Sequence, residues 1–465
     1  MLDTSASIVF HNNQGFDVSA PARSLQLGLI LAVSLHAFDE LVIAIALPTI
    51  ARDFGGGDWY GVTLASYILA GLISVVWAGS SIDRRGPLRI FLIGYALFAV
   101  GLVLATLASN MWEFVAARVI QGFGGGISFT VAYAITNIVL PKEQRPRMVA
   151  WLDSAWLVPS LLAPAIGGYI VDYWDWHWIF VGQLPFVFIA GVLLYPRLKP
   201  LNKTPVPGSQ DSRRAIWRAL RIAGGAGIFV TVIAQPVSWY WLFLLPLCVA
   251  LIWRPFLKVM PAGFATAKVG LAAGVLLHFL LFYAFYATEL FMPLIMIELR
   301  GLSSSVTGLA FTSCAIAWIV ASFFQAWLST RVSLAQSLFL GMCITTVGVA
   351  AAASLLLPSV PYWFVYPAWA IAGIGMGISF NTVVSATMNF TRDGEEGATS
   401  TANGIAGSLA IGLAAGIGGA ITNHGEQAGL GLAYSLGLVW VMAGLACLAC
   451  FWVIWARFRG VEPPH

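Results

Sequence analysis

Two adjacent acids, Asp39 and Glu40 in SLHAFDELVIAIALP, and one isolated base, Arg118 in AARVIQGFGGG, are the residues best placed by type and setting to do chemistry in this 465-residue chain. Each sits inside a long apolar run. Removing a carboxylate from water disfavours its charged form, so a carboxyl group in such a setting is suited to take up and release a proton. Charged residues at membrane depth face a cavity, pair with one another, or carry a proton. Successive residues on a helix point about 100° apart, so the two acids face different ways. His36 lies one turn earlier and can hydrogen-bond either acid. A fixed ion pair with a base is the alternative role for the acids, and Arg118 is the one base within a membrane-length run. Gln121 and Gly122 follow Arg118 on the same helical face. By helical rise from the ends of their runs, Arg118 is about 9 Å deep and Asp39 about 16 Å, a gap that a guanidinium can bridge.

The elements that must position these residues are read from composition. Hydrophobic residues make up 59% of the chain and charged residues 9%, which excludes a soluble protein of this length. Apolar segments of spanning length recur at 27–50, 60–80, 88–108, 112–139, 148–172, 176–195, 220–236, 239–256, 269–298, 305–328, 334–357, 362–389, 399–421 and 431–456. They are numbered here as spans 1–14. With a cytoplasmic N-terminus, 21 of the 24 Lys and Arg fall on the inside, leaving Arg52 and Arg300 outside and Arg118 within a span. Both termini are therefore expected in the cytoplasm and the chain in a cell inner (plasma) membrane. The net charge of +4 reflects this bias and does not suggest nucleic-acid binding. The N-terminus lacks the basic start and apolar core of a signal peptide. All five cysteines (Cys248, Cys314, Cys343, Cys447 and Cys450) lie in predicted spans, without metal spacing. No metal and no cofactor is expected.

The chain repeats itself. GFGGGISF at 122–129 returns as GIGMGISF at 373–380, and APAIGGYI at 163–170 returns as AAGIGGAI at 414–421, both at one offset. Two matches at one offset indicate two copies of one helical bundle, an architecture of secondary transporters. The repeat pairs span 4 with span 12 and span 5 with span 13, so spans 7 and 8 are inserted between the halves. The expected organisation is a cytoplasmic segment 1–26, a six-helix bundle 27–195, a linker with two extra helices 196–262, a second six-helix bundle 263–457 and a tail 458–465. The position matching Arg118 in span 12 is Trp369, so the scaffold repeats while the charge does not. The glycines of GFGGGISF are a close-packing surface. They are not a phosphate loop, since no Lys follows and no strand precedes.

Other polar residues extend the candidate site. Glu289 precedes Pro293 by four residues in span 9. Aligned on Pro48, it falls about one turn outward of Glu40. It is a possible second acid for cationic cargo or, alternatively, a residue near the outer surface. His278 lies midway along span 9, where a hydrogen-bonded packing role is the alternative to a cavity one, and Asp153 lies near the start of span 5, where an interfacial or helix-start acid is the alternative. The loop GSSIDRRGPLR places Asp83, Arg84, Arg85 and Arg89 on a turn made by Gly86 and Pro87. These charges can set topology or latch the two halves on the cytoplasmic side.

At this point four strings resemble motifs of the major facilitator superfamily. G-x-x-x-D-R-x-G at 79–86 is similar to its loop between helices 2 and 3, RVIQGFGGG to its helix-4 motif, and APAIGG with WDWHWIFVGQLPF to its antiporter motif. FDELVIAIALPTI resembles the helix-1 motif of drug:proton antiporters. The count of fourteen matches the branch with two extra central helices. The chain departs from the family pattern at Ala163, where Gly is usual, at Pro87, where a base is usual, and at Glu40, where a hydroxyl residue is usual. The resemblance implies an all-α membrane protein of the major facilitator fold, with two pseudo-symmetric six-helix bundles plus two central helices. It implies proton coupling at Asp39 and Arg118, with Glu40 beside them. It implies a bend and packing role for Ala163, Pro164, Gly167 and Gly168, and a cytoplasmic gate at Gly79, Asp83, Arg84, Gly86 and Arg89. His36, Gln121, Glu289 and His278 are the expected cavity residues.

The function expected from these readings is a monomeric, proton-coupled antiporter that exports amphipathic or cationic small molecules by alternating access. Its partners are the small-molecule cargo, protons and the bilayer. Export of a specific metabolite, siderophore or lipid is the alternative. A membrane-embedded enzyme fits less well: there is no His-rich cluster, no Ser/His/Asp arrangement and no nucleotide motif.

Overall fold

Lipid offers no water to satisfy a free backbone N–H or C=O, so apolar runs of this length close their own hydrogen bonds as helices. The computed structural model describes residues 23–140, 144–201, 210–392 and 395–459. Among them fourteen helical spans are long and apolar enough to cross a membrane. Spans 1–6 are Arg23–Asp53, Gly57–Ile82, Pro87–Leu107, Met111–Val139, Arg147–Tyr173 and His177–Leu201. The central spans 7 and 8 are Arg213–Ala234 and Trp241–Val259. Spans 9–14 are Leu271–Leu299, Ser304–Leu328, Leu334–Leu356, Tyr362–Asn389, Glu396–Gln427 and Leu432–Arg457. An even number of crossings puts both described chain ends on one side, here called the near end; the opposite side is the far end.

Three spans expected to be continuous are broken, each beside a proline. Span 5 is two helices, Arg145–Ser154 and Leu157–Tyr173. Pro159 has no N–H to give the carbonyl of Ala155, and Ser34 Oγ of span 1 donates to that carbonyl at 2.9 Å instead. Span 6 breaks at Gly182 and Gln183, just before Pro185. Span 9 is helical over Leu271–Glu289, and after Pro293 it resumes as a wide π-helical segment, Leu294–Leu299.

The packing shows the internal repeat. Spans 3 and 2 pack on span 4 as spans 11 and 10 pack on span 12. The halves meet along two seams, span 5 on span 10 and span 2 on span 13, which exchange under the pseudo-two-fold relation. Glycines allow the approach. A Cβ on Gly168 would fall 2.8 Å from Ser305 Cα, and one on Gly419 would fall 2.7 Å from Gly61 Cα. Span 7 lies against spans 2 and 13, with span 8 outside it.

The described hydrogen bonds between the halves lie at mid-depth or at the far end. Thr312 Oγ1 donates to Leu161 O at 3.0 Å, Tyr60 OH donates to Leu290 O at 2.9 Å, and Arg52 pairs with Glu298 at 2.5 Å. The observed conformation is therefore held closed at the far end. A leucine at Gly61 should force spans 2 and 13 apart, at the cost of roughly 1–3 kcal/mol typical of overpacking. Thermal unfolding in detergent should show Gly61→Leu melting below the parent, whereas Gly444→Leu, at a position where nothing stands within 4 Å of a Cβ, should melt with it.

Candidate functional site

Helical spacing separates the two acids, as the 100° step requires. Asp39 turns into the first bundle and is fully buried, while Glu40 is a quarter exposed, toward a cavity between the halves. Arg118, 1% exposed, donates from Nη1 to Asp39 Oδ2 at 2.7 Å and to Gln121 Oε1 at 2.9 Å. Gln121 Nε2 donates to Asp39 Oδ1 at 2.6 Å. Three residues apart on span 4, Arg118 and Gln121 share a face and address the same carboxylate.

Two partners of this cluster were not singled out in the sequence. Gln183, 3% exposed, donates from Nε2 to Asp39 Oδ1 at 3.2 Å and to Ile179 O at 3.0 Å. It stands at the break in span 6, and its one sequence signal is its place before Pro185. Tyr67 of span 2 lies beneath the guanidinium, its ring centroid 4.2 Å from Arg118 Cζ. Its hydroxyl is 2.7 Å from His36 Nδ1, and His36 Nε2 is 3.7 Å from Glu40 Oε2. Gly125 makes room for this arrangement, since a Cβ there would lie 2.8 Å from both His36 Nδ1 and the Tyr67 hydroxyl. A chain of contacts thus runs from the guanidinium over the Tyr67 ring, through the Tyr67–His36 hydrogen bond, to Glu40, whose carboxyl stands 3.7 Å from His36 at the cavity.

The cavity is lined from both halves. Glu40, Tyr67, Arg118 and Trp156 face Tyr286, Glu289 and Phe311 across it. About 50 Å³ is open to water-sized molecules, so a bulky cargo requires the halves to part. Oε2 of Glu289 is buried with no hydrogen-bond partner among the described residues. Of the four residues expected at the cavity, Glu289 lines it. Gln121 is spent on Asp39, and His36 stands behind Glu40. His278 is 5% exposed and stacks on Phe282 at 4.4 Å, away from the lining. Asp153, at the end of the first helix of span 5, accepts a hydrogen bond from Tyr133 OH at 2.7 Å.

The remaining expected residues lie elsewhere. Ala163 is buried, Pro164 faces Gly308 of span 10, Gly167 meets Val42 of span 1, and Gly168 abuts Ser304 and Ser305. Pro164 and Gly168 thus lie on the seam between spans 5 and 10, and Gly167 lies on the contact with span 1. On the near-end turn, Gly86 has φ +81°, a conformation that favours glycine, and Pro87 opens span 3. Arg84 Nε donates to Ser80 O of its own helix at 3.2 Å, and Gly79 and Arg89 are exposed. The side chain of Asp83 lies outside the described residues. Where the first half holds Arg118, the second holds Trp369, fully buried and stacked on Phe285 at 5.4 Å.

The family model of the Major Facilitator Superfamily matches residues 29–418 and 274–465. Multidrug resistance protein 3 of Bacillus subtilis (strain 168) is 24% identical over 437 residues, 87% of this chain and 80% of that protein. A probable multidrug-efflux transporter of Mycobacterium tuberculosis (strain CDC 1551 / Oshkosh) is 24% identical over 462 residues, 92% and 94% of the two chains. Among solved structures, a bacterial homolog of the human lysosomal transporter Spinster superposes with a TM-score of 0.67 at 16% identity, covering 96% of this chain and 100% of that one. The xylose transporter XylE from E. coli superposes with a TM-score of 0.63 at 14% identity, covering 95% and 99%.

A buried pair costs most when half of it is removed. Arg118→Met should destabilise the protein by about 3–5 kcal/mol, because the Asp39 carboxylate is left buried without its counter-charge. Adding Asp39→Asn should recover most of that loss. The check is a double-mutant cycle on thermal stability in detergent, where simple additivity of the two changes would contradict the coupling.

Proposed function

The chain belongs to the major facilitator superfamily and is a multi-pass membrane transporter, not an enzyme, and we propose that it exports amphipathic or cationic small molecules in exchange for protons by alternating access. The observation that carries this reading is the buried Asp39–Arg118 pair at the edge of a cavity that Glu40 and Glu289 face from the two halves. The names of the multidrug relatives support the cargo class. So does the lining: Tyr67, Trp156, Tyr286 and Phe311 offer apolar area and ring faces, while Glu40 and Glu289 offer carboxyl oxygens to a cation.

Asp39 is the proposed proton carrier. In the observed state its carboxylate is neutralised by Arg118 and bonded by two amides. A rearrangement that draws spans 1 and 4 apart would strip that counter-charge away, and an uncompensated carboxylate away from water is costly. Uptake of a proton removes the charge, and return of Arg118 expels the proton. Tyr67, His36 and Glu40 give it a route to the cavity. Glu40, one step round the helix, meets cationic cargo or adjusts the exchange. Because the two conformations differ in their affinity for the proton and for cargo, each ligand shifts the balance that the other feels.

The proposed location is the cell inner membrane with the near end in the cytoplasm. The basic residues support it: Arg84, Arg85, Arg89, Arg145, Arg147 and Arg197 all lie at the near end. A cysteine at Thr330, between spans 10 and 11, should then react with an impermeant maleimide from the cytoplasmic face alone. One at Leu430, between spans 13 and 14, should react from the opposite face. Labelling of both from one side would sink the topology.

Asp39→Asn should abolish export driven by a proton gradient while leaving cargo binding and gradient-independent exchange measurable in proteoliposomes. Normal uphill export by Asp39→Asn, with failure of Glu40→Gln, would transfer the carrier role to Glu40.

A further inference from the structure

The internal repeat places two polar residues at equivalent points of the far-end seal. Asp172 and Asn423 stand at the offset that relates Pro164 to Ala415 and Gly168 to Gly419. The contacts repeat as well. A Cβ on Gly308 would run into the carbonyl of Pro164, and one on Gly61 would run into the carbonyl of Ala415. One turn beyond the glycines, Asn423 Nδ2 donates to Asp58 O at 2.6 Å and to Ala234 O at 3.3 Å. Its counterpart does something chemically different. Asp172 Oδ1 accepts the Ser304 N–H at 2.8 Å, and Oδ2 accepts the Ser305 N–H at 2.7 Å.

Ser304 and Ser305 are the first two residues of the helix of span 10. Their N–H groups have no acceptor inside the helix, and the helix dipole places partial positive charge there. Ser303 of the same segment caps Val306 N, so the two remaining donors are capped from the other half of the molecule. Both oxygens of one carboxylate are engaged, in charge-assisted bonds that cross the seam. The other charged contact across this end, Arg52 with Glu298, has side chains 58% and 31% exposed. Solvent and salt screen such a pair, and it contributes little. Asp172 is therefore the stronger tie. It also lies on the side of the mid-depth Thr312–Leu161 contact where the halves must separate if the far end is to open.

We propose that Asp172 is the latch of the far-end gate: a carboxylate of the first half that caps span 10 of the second half only while that end is closed, and so sets the balance between the two facing states. The proposal rests on the alternating-access reading and adds to it a positioning residue outside the Asp39 cluster. Asn423 is the uncharged counterpart on the second seam.

The test is the accessibility of a buried reporter, measured without cargo or gradient. Ala44 is 4% exposed and lines the central cavity. An Ala44→Cys protein labelled with impermeant maleimide from the far side, above the background of the native cysteines, reads the open fraction of that end. Asp172→Asn keeps the shape but loses the charge, and Asp172→Ala loses both bonds. Labelling should rise about fivefold or more in the first and further in the second, as expected when charge-assisted bonds to a helix end are removed. Asp172→Glu keeps the charge and should stay within about twofold of the parent. All variants are compared well below their melting temperatures, so a general loosening would appear as a shifted melting curve. Parental labelling rates in both Asp172→Asn and Asp172→Ala would overturn the latch. Gly61→Leu separates the two ideas: if it opens the far end while the Asp172 variants do not, the latch alone fails. If the reporter is unreactive in every variant, alternating access at this end fails with it.

Discussion

A charge that cannot reach water must be answered by the protein, and in this chain that charge is on Asp39. Its carboxylate is fully buried and draws Arg118, Gln121 and Gln183 from spans 4 and 6 around it. Much of the first bundle follows from that demand. Arg118 needs a face of span 4 turned to span 1, Tyr67 lies under the guanidinium, and Gly125 leaves room for His36 to bond the Tyr67 hydroxyl. The break in span 6 brings Gln183 inward, to a position that a continuous helix would not specify. A cluster so interdependent is costly to break at one member.

Close backbone approach is the second organising constraint. Without a hydrophobic force between helices in lipid, association depends on packing and on interhelical polar contacts. Gly168 and Gly308 on one seam, and Gly61 and Gly419 on the other, bring backbones together with no side chain between. Polar groups at the far end then tie the seams: Asp172 to the start of span 10, Asn423 to the start of span 2, Tyr60 to Leu290. The same small residues that permit a tight seal leave few side chains to unpack when the seal opens.

The two halves share a scaffold and differ in chemistry. His36 lies 5.7 Å from Phe129, and His278 lies 5.8 Å from Phe380, the matching phenylalanine of the repeat. Beside the first histidine stand two carboxylates and an arginine. Beside the second stands an aromatic group of Phe282, Tyr286, Trp318 and Phe380. The charged pair is thus confined to the first half, while rings stand beside both histidines. The cavity between the halves is lined by Glu40, Tyr67 and Trp156 from one half and by Tyr286, Glu289 and Phe311 from the other.

The sequence by itself determined the spans, their number, the internal repeat and the short list of charged residues at membrane depth. These follow from hydropathy and composition, which act locally and accumulate along a run. It also determined that Asp39 and Glu40 must face different ways, since helical geometry leaves no choice. Only the tertiary structure decided which residues meet. Gln183 and Tyr67 are ordinary polar residues on their own spans, and nothing in their neighbourhoods along the chain points to Asp39. The interruption of span 5 depended on whether the freed carbonyl of Ala155 could find a partner, as it does in Ser34. The rotation of span 9 turns His278 to the Phe282 ring, and that of span 4 turns Gln121 to the Asp39 carboxylate, which their places along the chain did not specify. Asp172 reads in sequence as an acid at a helix end. It became a tie between halves because span 10, 132 residues further along, starts beside it, and such proximity is a property of packing that no local pattern encodes.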